Sequence, residues 1–200
     1  MGTDIHVFVE YASDDGRQSF SSRPEKPAWC FGRFSLSRDY LLFDAIGDGR
    51  SSQMRREDVR RQSLYSPRGI PADVSRPVAW EYYDLVVESQ SPYPMFWPAH
   101  GCVTASQAQD RVARGKSHEG TIAQAGDYGT TDPRIWRAVS KDCWHTPSWL
   151  TLAEILASLD HHRLPIAERQ WDFRAVLRCL AEIEQAIGPG QVRMVFWFDS

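Results

Sequence analysis

The alternation of residues at the start of the chain constrains the fold more than any other feature. Over residues 4–10, two sets of side chains alternate, one apolar and one mostly ionisable. The apolar set is Ile5, Val7 and Val9, and the other set is Asp4, His6, Phe8 and Glu10. Side chains alternate between the two faces of a β-strand. We therefore predict a strand over residues 4–11 with one core face and one polar face.

The other end of the chain also predicts a strand. Residues 192–198 are strongly apolar, and strands at both termini with helices between them are typical of an α+β domain. We expect the first and last strands to lie side by side. An antiparallel partner ends where its neighbour begins, so Trp197 and Asp199 should lie near Asp4 and His6.

Helices are predicted where a capping residue precedes a run of helical periodicity. They cover residues 38–46 after Ser37, residues 105–114 after Thr104, the segment after Thr151, and residues 171–187 before Gly188-Pro189-Gly190.

The remaining segments are predicted from alternation and from turn residues. Strands are expected over residues 28–34, as a hairpin with the first strand, and over residues 80–88. Loops are expected over residues 66–73, 91–101 and 115–132. No repeat or linker marks a boundary, so we expect a single α+β domain over residues 1–200, with a mainly antiparallel sheet and helices packed on it.

The composition of the chain limits the classes of protein to which it can belong. The net charge of the 200 residues is −3, which argues against a protein that coats nucleic acid in bulk. No apolar stretch approaches the roughly 20 residues of a membrane span, and the start of the chain lacks a signal-peptide pattern. The four cysteines show no CxxC or zinc-ligand spacing, so reduced thiols are expected. We expect a cytoplasmic protein without a membrane partner.

The polar face of the first strand is the first candidate site. Asp4 and His6 aim at one point and resemble the Asp-x-His metal motif of metallophosphoesterases. In that family the motif follows its hydrophobic strand, whereas here it precedes the strand, and no Gly-Asn-His element is present. We therefore predict no metal ligands and leave the cofactor unknown.

A second candidate lies before the capped helix at Thr151. His145 and Ser148 precede a helix start, where N–H groups favour an anion, and a His-based nucleophile arrangement is conceivable. No nucleophile-elbow or cysteine-protease signature accompanies them. The alternative is that both residues cap and tie down a loop.

Arginines form the third candidate. Arg38 and Arg68, with Arg50, predict an anion-binding arc, since a guanidinium suits phosphate or carboxylate. The alternative for Arg38 and Asp39 is an ion pair at a helix start.

Five motifs spread over nearly the whole chain carry a resemblance. They are Gly2-Thr-Asp-Ile-His6, Ser37-Arg-Asp-Tyr-Leu-Leu-Phe43, Arg68-Gly-Ile-Pro71, His145-Thr-Pro-Ser-Trp-Leu-Thr151 and the ending Val195-Phe-Trp-Phe-Asp199. They resemble a family of uncharacterised phage and prophage proteins that opens with Gly-Cys-Asp-Ile-His. The resemblance implies a phage or mobile-element setting and no particular activity. Thr3 stands where the family has cysteine, which argues against a mechanism that uses that cysteine here.

The motifs and the strand pairing together predict one pocket. Its catalytic candidates are His6 and His145, and its ligand-binding candidates are Asp4, Glu10, Arg38, Asp39, Tyr40, Arg68, Asp73 and Ser148. We expect the pocket to bind a small anionic, nucleotide-like ligand and thereby to counter host defence signalling. One alternative is a phosphodiesterase-type hydrolase, metal-dependent or histidine-based. Another is an inhibitor that contacts a host enzyme through the loop over residues 91–101.

Overall fold

A computed structural model describes residues 3–12, 28–47, 63–87, 101–123 and 135–199. The chain groups into two compact units, which we name by their sheets. The sheet A unit comprises Met1–Val74 and His145–Ser200, and the sheet B unit comprises Ser75–Trp144. The expectation of a single domain stays a prediction. The predicted loop over residues 91–101 and the arginine-rich segment around Arg50 lie almost wholly outside the described residues.

Strands and helices alternate irregularly along the chain. Their order is β1 (Asp4–Tyr11), β2 (Trp29–Ser35), α1 (Tyr40–Gly47), α2 (Arg76–Tyr82), β3 (Tyr83–Val87), β4 (Cys102–Thr104), α3 (Ala105–Ala113), β5 (Glu119–Ala123), β6 (Ile135–Ser140), β7 (Trp144–Thr151), α4 (Leu152–His161), α5 (Trp171–Ile187) and β8 (Val192–Asp199).

Sheet A contains both terminal strands. Its order is β2-β1-β8-β7, and β1 pairs antiparallel with β2 and with β8. Asp4 lies opposite Asp199, and His6 lies opposite Trp197. The α+β class and the adjacency of the first and last strands are confirmed, as is the predicted hairpin of β1 with β2.

One face of sheet A forms the main core. Ile5, Val7 and Val9 of β1 are buried there beside Phe196 and Phe198 of β8, as the alternation predicts. The apolar stripes of α1, α4 and α5 contribute to the same cluster. Burying each large apolar side chain contributes about 1.5–3 kcal/mol. The helices are therefore held by their apolar faces against the sheet.

The opposite face buries a charged network at one end of the β1–β8 pair. Glu10 and Arg193 are almost completely inaccessible, at 0% and 1% side-chain exposure. Arg193 Nε donates to Glu10 Oε2 at 2.8 Å, and Nη1 donates to Asp73 Oδ1 at 2.8 Å. Buried charges require such partners. Arg193 thus ties the segment around Asp73 to the centre of the sheet.

The start of α1 differs from its prediction. Asp39 is the cap, because its Oδ1 accepts from the backbone N–H of Leu42 at 3.1 Å. Ser37 instead donates to Asp172 Oδ2 through both its N–H and its hydroxyl, each at 2.6 Å. Ser37 and Asp39 are both residue types that cap helices. Because Ser37 is hydrogen-bonded to Asp172, Asp39 is the residue that caps α1.

Both predicted capping boxes are present. Thr104 exchanges hydrogen bonds with Gln107 at the start of α3, and Thr151 does so with Glu154 at the start of α4. The predicted bounds of α5 are also confirmed. Each box satisfies backbone N–H groups that a helix start leaves without partners.

The sheet B unit corrects two predictions. Its sheet has the order β4-β3-β6-β5. Trp80–Tyr82 end helix α2 instead of opening a strand, because Pro77 in the first turn favours a helix start at Arg76. The predicted loop over residues 115–132 contains strand β5, which pairs antiparallel with β6. Where a short helix directly precedes a short strand, the alternation of apolar and polar residues does not show where the strand begins.

The segment at His145 is a third correction. It belongs to strand β7 and not to a loop before the helix. Pro147 lies within that strand, and β7 is an edge strand of sheet A, where proline is tolerated. None of the helices in the described part of the chain is long and apolar enough to cross a membrane.

We predict that Arg193→Leu lowers the free energy of unfolding by about 3–5 kcal/mol, since it leaves Glu10 buried without its counter-charge. Denaturant-induced unfolding followed by circular dichroism measures this loss. The matched control is Arg178→Leu on exposed α5 surface of the same unit, which should change stability by less than about 0.5 kcal/mol. Equal effects of the two substitutions would contradict the role of the buried network.

Candidate functional site

The end of the β1–β8 pair opposite the buried network gathers ionisable groups around Asp199. Asp199 Oδ1 accepts a hydrogen bond from the backbone N–H of Asp4 at 2.9 Å, and Oδ2 lies 3.2 Å from His6 Nε2. The antiparallel register dictates this meeting, since β1 begins where β8 ends. The last residue of β8 therefore binds the backbone of Asp4 and the side chain of His6 at the start of β1.

His6 lies between a carboxylate and a guanidinium. Its Nδ1 is 3.4 Å from Arg33 Nη2, and its ring stacks on Trp197 with 5.6 Å between centroids and 9° between planes. A guanidinium only donates hydrogen bonds, so Nδ1 acts as the acceptor toward Arg33. The proton of the neutral ring then resides on Nε2 and faces Asp199.

His145 lies beside Phe198 on the core face of β8, whereas His6 lies on the opposite face with Trp197. The strand of His145, β7, is the second neighbour of β8 in the sheet, and the ring of His145 stacks on Phe198 at 5.9 Å. Burial lowers the pKa of His145 below 6.5, and the negative charge of Asp199 acts in the opposite direction. His145 is thus a largely neutral imidazole at pH 7, close enough to Asp199 to feel its charge.

Arg38 clamps Asp4 at the rim. Its Nη2 donates to Asp4 Oδ2 at 2.9 Å, and its Nε donates to Oδ1. These hydrogen bonds lower the pKa of Asp4 and raise that of Arg38. Both side chains are about half exposed, at 52% and 50%, so this end of the sheet opens to solvent.

We call this group the Asp199 cluster. It comprises Asp4, His6, Arg33, Arg38, His145 and Asp199. Two carboxylates oppose two guanidiniums, so its net charge depends on the two imidazoles. Protonation of either imidazole would make this net charge positive.

Glu10 and Asp73 lie elsewhere. Glu10 follows Asp4 by six positions along β1, a distance of about 20 Å in a strand. Arg193 forms ion pairs with both Glu10 and Asp73 in the buried network. The structure therefore places these two predicted ligand-binding residues at the opposite end of the strand pair.

Arg68 and Ser148 form a second separate group. Both terminal nitrogens of Arg68 donate to Glu154, at 2.6 and 3.1 Å, and its guanidinium lies over the ring of Trp149 at 4.6 Å. The backbone N–H of Arg68 donates to Ser148 Oγ at 3.2 Å. These contacts fix the segment before Asp73 against the start of α4.

The start of α4 already has an anion. Glu154 accepts from the N–H and hydroxyl of Thr151 and from Arg68. Burial raises the pKa of Glu154, but the hydrogen bonds from Arg68 and Thr151 outweigh it and lower the pKa overall. A carboxylate of the chain itself thus occupies the helix start where the sequence predicts a ligand.

Asp39 and Tyr40 lie at the start of α1. Arg169 Nη1 donates to Asp39 Oδ2 at 3.0 Å, and both side chains are largely buried, at 9% and 13% exposure. The ring of Tyr40 meets that of Phe43 edge-on at 5.8 Å. Of the ten predicted site residues, the structure brings Asp4, His6 and Arg38 together at the Asp199 cluster, with Tyr40 hydrogen-bonded to Arg38 and His145 within reach of the charge of Asp199.

Two residues of the cluster were not among the predicted site residues. Asp199 follows from antiparallel pairing of the terminal strands, which the sequence did predict. Arg33 lies on β2 opposite Phe8, and only the register of the hairpin places it beside His6.

The described residues contain no group of three or more His, Cys, Asp or Glu side chains arranged to hold a metal ion. Comparisons of the chain with protein-family models, with curated proteins and with solved structures find no match. The resemblance to the phage family therefore stays a prediction.

We predict that His145→Gln makes stability less dependent on pH. The unfolded chain takes up a proton near pH 6.5, whereas folded His145 does so only at lower pH. The wild type should therefore lose stability as the pH falls through 6.5 toward the lower folded pKa, and the variant should lose less. Denaturant unfolding at steps between pH 7.5 and about pH 5 measures both slopes. Parallel curves for the two proteins would contradict the lowered pKa.

Proposed function

We propose that the chain binds a small anionic, phosphate-bearing ligand at the Asp199 cluster, with His6 and His145 as its acid–base groups. The observation that supports this is the contact of His6 with the Asp199 carboxylate between two arginines at the rim, with His145 near enough for the charge of Asp199 to act on it. A purely structural cluster would need neither imidazole, since two carboxylates already match two guanidiniums. The imidazoles add a positive charge that appears only on protonation.

The phosphate group is the part of the ligand that the described residues explain. Arg38 and Arg68 do not form the arc expected from the sequence, because each engages a different carboxylate through two nitrogens. Arg33 and protonated imidazoles take over that role in the proposal. A nucleotide-like ligand in a phage setting, sequestered inside a host cell, is the finer form of the proposal and rests on the family resemblance.

We predict that inorganic phosphate and adenosine monophosphate perturb the His6 and His145 resonances in a proton NMR titration. Binding should strengthen from pH 8 to pH 6, because the bound anion favours the imidazolium forms. Arg33→Gln should weaken phosphate binding roughly tenfold, the loss expected for one charge-assisted contact of about 1.4 kcal/mol. Arg178→Gln, the same change on exposed α5 surface, is the matched control.

A flat response of both histidines to phosphate and to a wide nucleotide panel would exclude the proposal. Equal weakening by Arg33→Gln and Arg178→Gln would instead indicate unspecific attraction by net charge. Repeating the titration at two ionic strengths distinguishes these cases, because unspecific attraction is screened more strongly.

Histidine-based phosphodiester hydrolysis is the second candidate. Burial keeps His145 neutral and able to accept a proton from water as the water oxygen bonds to phosphorus. His6 would act in its imidazolium form, which the Asp199 carboxylate stabilises through Nε2–H, and would donate the Nδ1 proton to the leaving oxygen as the bond of that oxygen to phosphorus breaks. The proton that His145 accepts from water is thus matched by the proton that His6 donates to the leaving group.

We predict that, if the chain is a hydrolase, His6→Gln and His145→Gln each lower kcat on bis(p-nitrophenyl) phosphate by about 10²–10⁴-fold. Assays before and after chelation separate the histidine-based from the metal-dependent mechanism. His161→Gln, an exposed histidine at the end of α4, is the control. Full activity in both cluster variants would contradict this candidate and leave the binding proposal to its own test.

A further inference from the structure

A groove in the sheet A unit lies apart from the Asp199 cluster. It has a volume of about 590 Å³ and lies between the β1–β2 hairpin and α5, where its walls are almost wholly apolar. Such a volume and such a lining are typical of small-molecule sites. Tyr11, the last residue of β1, contributes to one wall, and it is separated from Asp4 by about 23 Å along a strand. The groove is therefore not an extension of the Asp199 cluster.

Aromatic side chains of the hairpin lie on the groove side of sheet A. Val7 is paired with Phe34, and Tyr11 is paired with Trp29. Val7 and Tyr11 both pack in the core that the helices cover, and residues directly opposite in an antiparallel pair share a face. Phe31 lines the groove, and Trp29 and Phe31 are 58% and 57% exposed. Exposed apolar surface beside a concave site indicates a place of binding.

The sheet edge beside the groove is poorly suited to the addition of a strand. Within the described residues, sheet A ends at β2. The pairing of β2 with β1 shifts between Val9 and Glu10, and Phe31 is the residue of β2 that has no partner opposite it on β1. A bulge of this kind interrupts the regular row of N–H and C=O groups and discourages pairing at a sheet edge. The groove therefore suits a molecule that lies between the sheet and α5.

The charges around the groove favour a cation. Among the described residues that line it, only Glu182 is charged. Glu182 is exposed, and the described part of the chain shows no ion pair between it and Arg178, one turn earlier on α5. The groove also reaches Ile187, the last residue of α5, where the helix dipole is negative. The faces of the aromatic rings add attraction for a positive charge.

The lining also distinguishes between kinds of cation. Divalent metal ions take several oxygen or nitrogen ligands, and the described lining offers a single carboxylate. An alkylated ammonium ion needs fewer polar partners, because aromatic faces attract its charge. Its apolar groups gain from burial against side chains such as Ile183.

We propose that this groove binds an organic cation of the alkylated-ammonium class, with its charge toward Glu182 and the aromatic rings and its apolar body along α5. The site goes beyond the proposed function and does not depend on it, because the two sites share no residue.

Two probes of the same shape test the role of charge. Benzyldimethyl(hydroxyethyl)ammonium carries a permanent positive charge, and its neutral isostere is the alcohol in which carbon replaces the nitrogen. In calorimetric titrations, the cation should bind roughly tenfold more tightly than the isostere. Glu182→Gln should remove this preference and leave the affinity for the isostere unchanged. Glu168→Gln, the same change at an exposed residue outside the groove, is the matched control and should alter neither affinity.

Cys179 reports where the probe binds. Its side chain lines the groove, whereas Cys143 is exposed in the sheet B unit. Burial raises the pKa of the Cys179 thiol, so alkylation by iodoacetamide is followed by mass spectrometry at about pH 8.5, where more thiolate is present. The cationic probe should slow the alkylation of Cys179 severalfold and leave that of Cys143 unchanged.

Four outcomes would overturn the proposal. They are a failure of the cation to bind, equal affinities of the wild type for the two probes, equal effects of Glu182→Gln and Glu168→Gln, and binding that leaves the alkylation of Cys179 unchanged. Alkylation of Cys179 that slows as the protein concentration rises, with no probe present, would instead show that a second copy of the chain occupies the groove. That result would also contradict the proposal.

Discussion

The antiparallel pairing of the first strand with the last is the interaction on which the sheet A unit depends. It places Val7 opposite Phe196 and so builds the centre of the core. The same register places Asp4 opposite Asp199 and so builds the candidate site. A slip of one residue would exchange the two faces of β1 and lose both. Core and site are therefore specified by one pairing, whose ends are distant in sequence and costly to bring together.

Polar residues on one strand face need not form one site. The sequence places Asp4, His6 and Glu10 on a common face, and the structure confirms the alternation while it separates their roles. Glu10 is buried with Arg193 across the β1–β8 pair. A buried charge pair contributes little net stability relative to apolar residues, yet any register that separates the two charges is strongly disfavoured. The pair thus acts against misregistered sheets and need not bind a ligand.

Local signals in the sequence predicted local structure well. Both capping boxes and the long periodicity of α5 were confirmed, because each depends on residues within a few positions of one another. The helix at Trp80 and the strand at His145 were missed, because a proline in a first turn favours a helix and a proline in an edge strand is tolerated, and neither position can be recognised from alternation alone. The fold class followed from the terminal strands and the helices between them.

The candidate site was predicted in part, for a physical reason. The residues at the start of β1 could be placed beside Asp199, since antiparallel pairing fixes which ends meet. The partners of the arginines could not be predicted, because any of several carboxylates satisfies a guanidinium equally well in sequence. Folding assigned Arg68 to Glu154 and Arg169 to Asp39, and each pairing took one predicted residue out of the site.

The charges at the two ends of the β1–β8 pair are balanced in different ways. At the buried end, Arg193 remains charged in every relevant condition, so permanent carboxylates must accompany it. At the open end, two arginines are matched by two carboxylates, and the imidazoles add positive charge only when they are protonated. Under the proposed function, this added charge would make anion binding depend on pH, whereas a permanently charged arginine in place of His6 would not.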